Sequence, residues 1–287
     1  MVHSLIFEPM KKQILPFLLL LISFSSFAPK KIKWVAIGDS ITYLNDHLDE
    51  TGNRVSEGYM SRVVKRLPNI SYINQGYNGW TASRIAEKID DLEIEKADVY
   101  SLFLSTNDWW AGKPIGTLEN YVNNSGFGTL YGSYRIILDK IKFLNPNAPL
   151  LLFTPMKRVD FVYIANYKNN AYGSYKEKNG QSLEQFADAI IEISKYENVK
   201  VIDLYHRKAL KYKNLVRFKR LKNPKTNVYE NYKFPESIDI PFNPITDEYP
   251  YPLASDNYTF DGLHPSDKGN ELIAKELIGI MKKYCFF

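Results

Sequence analysis

Short apolar runs alternate with longer segments of helical periodicity along most of this chain. The first run, IKWVAIG, begins at residue 32 and has the length of a buried strand. The pattern predicts strands over residues 32–38, 70–74, 99–104, 150–154 and 199–204, and helices over residues 58–67, 81–94, 130–144, 182–196 and 266–283. Strands separated by longer helices are typical of a parallel sheet with helices on both faces. We therefore predict an α/β fold, with a single-domain three-layer α/β/α sandwich around a central, mostly parallel five-stranded sheet.

Two stretches between the predicted elements lack this periodicity. They cover residues 109–128 and 205–258 and contain many aromatic, asparagine and proline residues. Long ordered loops in a compact domain commonly act as lids or binding loops. No linker separates a second domain, so we assign residues 29–287 to one domain that carries these two loop insertions.

Residues 1–28 have a different character. Two basic residues, Lys11 and Lys12, precede an apolar run over residues 14–24, and small residues follow up to Ala28. This is the layout of a secretory signal peptide, and the run is short for a membrane span. An uncleaved anchor is the alternative, and the pattern fixes neither the cleavage site nor the start methionine. We expect a secreted, periplasmic or cell-envelope protein, with no stable membrane span after signal removal.

Composition excludes several kinds of site and partner. The chain has 287 residues, of which 45% are hydrophobic and 24% charged, and its single cysteine is Cys285. One cysteine permits neither an intramolecular disulfide nor a cysteine-rich zinc site, and export without disulfides is more typical of bacteria. The formal net charge of +5 is too small to indicate nucleic-acid binding.

Charge is distributed unevenly in the second loop insertion. Between Asp203 and Glu230 the chain has nine basic residues and no acidic one, whereas the stretch from Glu230 to Asp261 has seven acidic residues and one lysine. Such blocks are usually solvated surface segments, here with two halves that attract each other. The alternative is a binding site for an anionic ligand or surface partner, and the sequence leaves both interpretations open.

Polar turns follow each of the first three predicted strands. They contain Ser40, the pair Asn78 and Gly79, and Asn107. In open parallel sheets the ligand site lies at the carboxyl ends of the strands, so we expect these turns to lie at one site. A serine at such a turn can act as a nucleophile beside backbone N–H groups.

A histidine with a nearby carboxylate provides a candidate base. Asp261 precedes His264 by three residues in a short turn before a predicted helix cap. A carboxylate at this spacing can accept the imidazole Nδ1–H and leave Nε2 to face a nucleophile. The remaining histidines, which are poorer candidates, are His3, His47 and His206.

Four short motifs occur in order along the chain. They are Gly38-Asp39-Ser40-Ile41-Thr42, Asn74-Gln75-Gly76-Tyr77-Asn78-Gly79, Ser105-Thr106-Asn107-Asp108 and Asp261-Gly262-Leu263-His264-Pro265. This set resembles the four conserved blocks of the SGNH hydrolases, also called the GDSL esterase and lipase family. The resemblance covers residues 33–280, nearly the whole chain after the leader.

The resemblance implies a role for individual residues. Ser40 corresponds to the nucleophile, His264 to the general base and Asp261 to the residue that orients it. The oxyanion hole would consist of the Ser40 and Gly79 backbone N–H groups and the Asn107 side-chain amide. The resemblance implies a serine ester hydrolase that needs no metal or cofactor. One position departs from the family pattern, because Ser105 stands where the third block usually begins with glycine.

The substrate is less well specified. The resemblance makes small O-acetyl groups on carbohydrates plausible targets, and aromatic side chains near the third block and in the second loop could contact sugar rings or merely pack those loops. The candidate substrate contacts are Asp39, Asp108, Trp109, Trp110 and Tyr258. We favour a carbohydrate or cell-wall O-acetylesterase acting on a small ester or acetylated glycan. The alternatives are a lysophospholipase or broad acyl-ester hydrolase and a non-catalytic glycan-binding protein.

Overall fold

The computed structural model describes residues 31–284. Its strands, in chain order, are β1 (Ile32–Gly38), β2 (Ile70–Gly76), β3 (Val99–Phe103), β4 (Leu150–Phe153), β5 (Phe161–Tyr163), β6 (Asn166–Ala171), β7 (Lys200–Ile202), β8 (Lys219–Lys222) and β9 (Tyr229–Tyr232). Its α-helices are α1 (Ser40–Tyr43), α2 (Tyr59–Arg66), α3 (Ala82–Lys88), α4 (Thr106–Trp110), α5 (Leu118–Val122), α6 (Leu130–Leu144), α7 (Leu183–Tyr196), α8 (Tyr212–Leu215) and α9 (Asp267–Tyr284). Short 3₁₀ turns cover Leu48–Thr51, Lys208–Leu210 and Leu253–Ser255.

Five parallel strands form the central sheet in the order β2-β1-β3-β4-β7. Strand β1 lies between β2 and β3, with Gly38 paired with Gly76 on one side and with Phe103 on the other. The carboxyl ends of these three strands therefore meet at one edge of the sheet. The predicted fold class, a parallel five-stranded sheet covered by helices in one domain, is confirmed.

Side chains of β1 alternate between two apolar layers. Val35 and Ile37 pack with residues of α3, α6 and α7 on one face. Trp34 and Ala36 pack on the other face with residues of α2 and α9. Burying both faces of a parallel strand explains why its sequence is an almost continuous apolar run. The Trp34 indole N–H donates to Ser101 Oγ of β3 at 2.9 Å, which satisfies a polar group inside the second layer.

Local signals placed most helix ends correctly. Thr81 and Ser182 cap α3 and α7, and their side chains accept from the backbone N–H groups of Arg84 and Gln185. The predicted helix over residues 81–94 was too long, because α3 ends at Lys88. Beyond it the chain forms turns and reaches Glu93, which has φ +49°, a left-handed conformation that a helix cannot continue.

Two hairpins were not predicted. Strands β5 and β6 pair antiparallel, with Val162 opposite Asn170, and β8 pairs with β9 inside the second loop insertion. The β5–β6 hairpin follows β4 at the edge where the polar turns meet. Its sequence, FVY followed by NYKNNA, alternates too weakly to distinguish a strand from a loop.

Part of the basic block pairs with the acidic stretch that follows it. Arg220 lies 3.4 Å from Glu248, and Lys222 lies 3.3 Å from Asp247. These contacts agree with the interpretation in which the two halves attract each other. Two further basic residues pair outside the stretch, since Lys219 contacts Asp160 and Arg207 contacts Glu276.

No helix within residues 31–284 is both long and apolar enough to cross a membrane. The segment interpreted as a signal peptide, residues 1–28, lies outside the described residues, and so does Cys285.

The close approach of β2 to α1 predicts opposite effects at two glycines. A Cβ at Gly76 would lie 2.7 Å from the Thr42 carbonyl carbon, whereas a Cβ at Gly279 of α9 meets nothing within 4 Å. We expect Gly76→Ala to lower the free energy of unfolding by about 1–3 kcal/mol, because backbone atoms must shift. Gly279→Ala should raise it by about 0.5–1 kcal/mol, because alanine favours the helix. Urea unfolding checks both changes, and equal effects at the two sites would refute the argument.

Candidate active site

Ser40 lies where β1 gives way to α1. Asp39 caps this helix, with Oδ1 accepting the Ile41 N–H at 3.0 Å, and the Asp39 N–H donates to the Phe103 carbonyl at 3.2 Å. Ser40 is the first residue of α1, so its own N–H has no acceptor within the helix. The turn therefore fixes the serine hydroxyl and a free backbone donor at the carboxyl edge of the sheet.

His264 and Asp261 lie in a tight turn before α9. Asp261 Oδ1 accepts the backbone N–H groups of Leu263 at 3.0 Å and His264 at 2.7 Å. Asp261 Oδ2 lies 2.6 Å from His264 Nδ1, and His264 Nε2 lies 2.9 Å from Ser40 Oγ. All three side chains are buried. The structure thus brings together the serine, imidazole and carboxylate that the sequence singled out, although 224 positions separate the first two.

The turn holding Asp261 is fixed by the segment before β5. The Val159 N–H donates to the Gly262 carbonyl at 2.9 Å. Gly262 has φ +90°, and a Cβ there would overlap the Asp160 carbonyl oxygen. Glycine is therefore required at this position for both its backbone angle and its space. Phe161 and Phe260 then border the imidazole, with ring centroids 5.3 and 6.0 Å from that of His264.

The strand order places Gly79 and Asn107 after the two strands that neighbour the strand preceding Ser40. Gly79 follows β2, Asn107 lies in α4 after β3, and Ser40 follows β1 between them. Gly79 is exposed with φ +76°, and no atom lies within 4 Å of where its Cβ would be. The Asn107 amide donates one N–H to the Trp80 carbonyl at 2.9 Å, which fixes its orientation and leaves the second N–H available.

Ser105 adopts the left-handed conformation, with φ +100°, directly before α4. Its buried hydroxyl has no hydrogen-bond partner among the described residues. Both features are unfavourable for serine and neither would arise with glycine, which is the residue that the family pattern has there. Serine at this position, where the family pattern has glycine, therefore leaves the backbone path into Asn107 intact and adds strain to it.

A cavity of about 100 Å³ opens beside His264. Its walls come from four parts of the chain, including the β5–β6 hairpin, and the lining residues are Leu44, Glu50, Asn78, Phe161, Tyr163, Asn169, Phe260, Asp261 and His264. The rings of Phe161, Tyr163 and Phe260 limit its size. Polar groups of Glu50, Asn78 and Asn169 face it, so the cavity combines a small apolar portion with a polar rim.

The five residues that the sequence predicted as substrate contacts do not line this cavity. Asp39, Asp108 and Trp109 are buried, and their polar atoms are used by backbone groups or, for the indole N–H, by the Gln181 carbonyl. Trp110 is half-buried, and the Lys178 ammonium lies 3.5 Å from its ring centroid. Tyr258 lies against Lys268 at the start of α9. None of the five lines the cavity beside His264.

Burial raises the pKa of two of these carboxyl groups. The pKa of Asp39 and that of Asp108 rise from 3.8 to about 6, and hydrogen bonds from backbone N–H groups offset part of the effect of burial. Asp108 accepts the N–H groups of Ala82 at 2.8 Å and Ser83 at 3.3 Å, which ties α4 to the start of α3. Both residues therefore support the turns that carry Ser40 and Asn107.

Sequence reasoning missed the hairpin residues of the cavity. Phe161 and Tyr163 lie in β5, and Asn169 lies in β6. No strand or helix was predicted for this segment. Glu50 was also missed; its carboxylate accepts the Tyr43 hydroxyl at 2.8 Å. A weak signal existed in the cluster of asparagine and tyrosine at 163–172. Within residues 31–284, no group of three or more His, Cys, Asp or Glu side chains is arranged to hold a metal ion.

Comparison with known proteins identifies the fold and the family of the chain. A family model of GDSL-like lipases and acylhydrolases matches residues 36–272. A solved structure described as a possible lipase from Chitinophaga pinensis is 60% identical, with a TM-score of 0.87 over 88% of this chain and 98% of that chain. A Lactobacillus plantarum protein is 18% identical, with a TM-score of 0.58 over 89% of this chain and 98% of that chain. Comparison with curated proteins found no match.

A more distant likeness involves an acetylxylan esterase from Geobacillus stearothermophilus. It is 18% identical, with a TM-score of 0.49 over 88% of this chain and 94% of that chain, so it supports no argument about substrate.

The fold, the family model and the similar structures define an ester hydrolase. The chain belongs to the GDSL-like lipase/acylhydrolase family.

The strain at Ser105 predicts a stabilising substitution. Ser105→Gly should raise the free energy of unfolding by about 1 kcal/mol, because removing left-handed strain and an unpaired hydroxyl outweighs the flexibility of glycine. The melting temperature should rise by about 2–4 °C. Ser105→Ala is the matched control, since it removes the hydroxyl and keeps the Cβ, and should stabilise less. A lower melting temperature for Ser105→Gly would contradict this reading.

The buried Asp108 carboxyl predicts a pH-dependent stability. Its folded pKa of about 6 exceeds 3.8, so the folded state binds more protons between these values and the free energy of unfolding falls as pH rises through this window. The free energy of unfolding should differ between about pH 4 and pH 7, and Asp108→Asn should remove up to roughly 3 kcal/mol of that difference. Urea unfolding at both values measures it, with the exposed Asp91→Asn as control. An unchanged difference in Asp108→Asn would exclude this role.

Proposed function

We propose that this ester hydrolase uses a Ser-His-Asp acyl-enzyme mechanism. The observation that carries the proposal is the continuous chain of hydrogen-bond distances from Ser40 Oγ through His264 to Asp261. A hydroxyl becomes an effective nucleophile when an adjacent base accepts its proton and a third group orients that base. The chain provides each of these groups at one edge of the sheet.

In the first half of the reaction, Ser40 Oγ attacks the carbonyl carbon of the ester while His264 Nε2 accepts the serine proton. The negative charge that develops on the carbonyl oxygen faces the N–H groups of Ser40, Gly79 and Asn107. Donors fixed in advance stabilise this charge without reorganisation. The intermediate then collapses, His264 returns the proton to the departing alcohol oxygen, and an acyl-Ser40 ester remains.

In the second half, water attacks the acyl-Ser40 carbonyl. His264 Nε2 accepts a proton from the water, the same donors stabilise the second oxyanion, and the proton passes to Ser40 Oγ as the carboxylic acid leaves. Asp261 accepts the imidazole Nδ1–H throughout and stabilises the imidazolium that forms twice per cycle. Its two backbone hydrogen bonds hold the carboxylate in this orientation.

We further propose that the substrate is a small acyl ester, namely an O-acetyl group on a carbohydrate or cell-wall glycan. The cavity beside His264 is about 100 Å³, and aromatic rings restrict it, which suits a short acyl chain better than a long one. Its rim presents the carboxylate of Glu50 and the amides of Asn78 and Asn169, which are groups that can bind sugar hydroxyls. Export through the segment 1–28 is part of this proposal.

The mechanism is tested by p-nitrophenyl acetate hydrolysis. Ser40→Ala should show no turnover above buffer, because the covalent step is lost. Asn107→Ala should reduce kcat by roughly 10²- to 10³-fold through loss of one oxyanion donor. Asp261→Asn should reduce kcat by roughly 10⁴-fold, because the imidazole is no longer held in the required tautomer.

Ser71→Ala, at an exposed serine of β2, is the matched control and should retain full activity. Turnover by Ser40→Ala equal to that of the unchanged protein would exclude the mechanism. Absence of activity in the unchanged protein would favour the non-catalytic, glycan-binding alternative.

The substrate proposal is tested by comparing acetate release from acetylated xylan with hydrolysis of p-nitrophenyl esters of increasing chain length. Acetyl esters should be preferred, and Asn169→Ala should raise KM for the acetylated glycan several-fold without changing kcat/KM for p-nitrophenyl acetate. Lys168→Ala, at the neighbouring exposed residue, is the control. A preference for acyl chains of eight carbons or more would favour the lysophospholipase alternative.

A further inference from the structure

Three cationic and two aromatic side chains alternate beside the β5–β6 hairpin. The Arg158 guanidinium and the Lys178 ammonium lie 5.4 and 3.5 Å from the Trp110 ring centroid. Lys178 and Lys176 lie 5.6 and 4.5 Å from the Tyr172 ring centroid. We call these five residues, Arg158, Trp110, Lys178, Tyr172 and Lys176, the cation ladder.

Within the described part of the chain, Lys176 and Lys178 of the cation ladder form no ion pair with a carboxylate, whereas the charge of Arg158, which is buried, is opposed by those of Asp261 and Asp160. Among residues 31–284, no Asp or Glu lies within ion-pairing distance of Arg158, Lys176 or Lys178, and Glu177 pairs with neither neighbouring lysine. Burial and then the charges of Arg158 and Lys176 lower the pKa of Lys178. The like charges of Lys176 and Lys178 repel each other, and the aromatic faces beside them offset this only in part. Such a cluster attracts an anion.

The cation ladder adjoins the catalytic cavity. Trp110 packs against the apolar cluster of Phe161, Ala171 and Leu263, and Phe161 lines that cavity and borders His264. Tyr172 and Lys176 line a second cavity of about 340 Å³, which also contacts Phe161. Phe161 of β5 thus lines both spaces, one beside His264 and one next to the ladder.

The second cavity has the size and lining of a ligand site. Pockets that bind small molecules occupy about 300–1,000 Å³ and combine apolar walls with a few polar groups. The charges of the residues that line it sum to zero, because Lys219 pairs with Asp160 at 2.8 Å and Lys176 lines the same space as Asp239. The unpaired positive charge beside this cavity therefore comes from Lys178 of the ladder, because Asp261 and Asp160 oppose the charge of the buried Arg158.

We propose that the cation ladder binds carboxylate-bearing sugar units of the glycan whose ester is cleaved at Ser40, so that the preferred substrate is an acetylated acidic polysaccharide. The inference rests on the proposed function and narrows its substrate class. The ammonium groups of the exposed Lys176 and the half-buried Lys178 can bind carboxylates, and the exposed ring of Tyr172 can contact a sugar face. An anionic lipid surface is the competing source of negative charge, and the mixture of rings and polar groups fits a glycan better.

The first test compares acetate release from acetylated polygalacturonate and from acetylated xylan. We expect kcat/KM to be several-fold higher on the polyuronate at low salt and to fall about 5- to 10-fold between roughly 20 and 300 mM NaCl, because salt screens charge attraction. Rates on acetylated xylan and on p-nitrophenyl acetate should change little. Equal rates and equal salt dependence on both polysaccharides would overturn the inference.

Variants of Lys176 and Lys178 distinguish a role in substrate binding from a structural role. Lys178→Gln and Lys176→Gln should each raise KM for acetylated polygalacturonate about 3- to 10-fold, with p-nitrophenyl acetate turnover unchanged, and Lys178→Arg should restore binding. Lys225→Gln, at an exposed lysine between β8 and β9, is the matched control. An equal loss on all substrates would assign the lysines a structural role and reject the proposal.

A binding measurement keeps this inference separate from the proposed function. Ser40→Ala protein should bind de-esterified polygalacturonate in calorimetry and bind neutral xylan at least about 10-fold more weakly, whether or not the unchanged protein hydrolyses esters. Loss of ester hydrolysis with intact polyuronate binding would reject only the mechanism. No binding to polygalacturonate, or stronger binding to phosphatidylglycerol vesicles, would reject the acidic-glycan proposal.

Discussion

The position of β1 between β2 and β3 is the constraint on which the site depends. Parallel neighbours bring three carboxyl ends to one edge, so the residues after each strand become neighbours although they are far apart in the chain. The serine follows the central strand of the three, and its two candidate donor partners follow the strands on either side. Apolar packing of β1 on both faces fixes this arrangement, because a one-residue shift would move Trp34 into the layer that Val35 fills and Val35 into the layer that Trp34 fills.

The turn that contains Asp261 and His264 depends on a second set of contacts, which the chain around β5 makes. Val159 holds the Gly262 carbonyl, and the Tyr251 hydroxyl donates to the Asp160 carbonyl beside it. The same segment continues into Phe161, which borders the imidazole and walls the cavity. One hairpin therefore both borders the imidazole of His264 and lines the cavity beside it.

The sequence allowed accurate prediction where one physical signal dominated. Buried parallel strands give continuous apolar runs, and capping residues such as Ser182 mark helix starts, so the sheet and α6, α7 and α9 were predictable. The polar turns and the spacing of Asp261 and His264 located the candidate site. The β5–β6 hairpin was not predictable, because its residues alternate weakly and its stability comes from contacts distant in sequence. Trp109 similarly could not be recognised as buried, since its environment is set by α7 and Gln181.

Unfavourable local features gather at the same edge of the sheet. Asp39 and Asp108 are carboxyl groups buried at helix starts, and Ser105 combines a left-handed backbone with an unpaired hydroxyl. Each lies one or two residues from Ser40 or Asn107, and each would cost less in a solvated loop. The apolar layers on both sides of the sheet supply the stability that offsets these costs. The fold therefore tolerates strain next to Ser40 and Asn107, and its apolar core compensates for that strain.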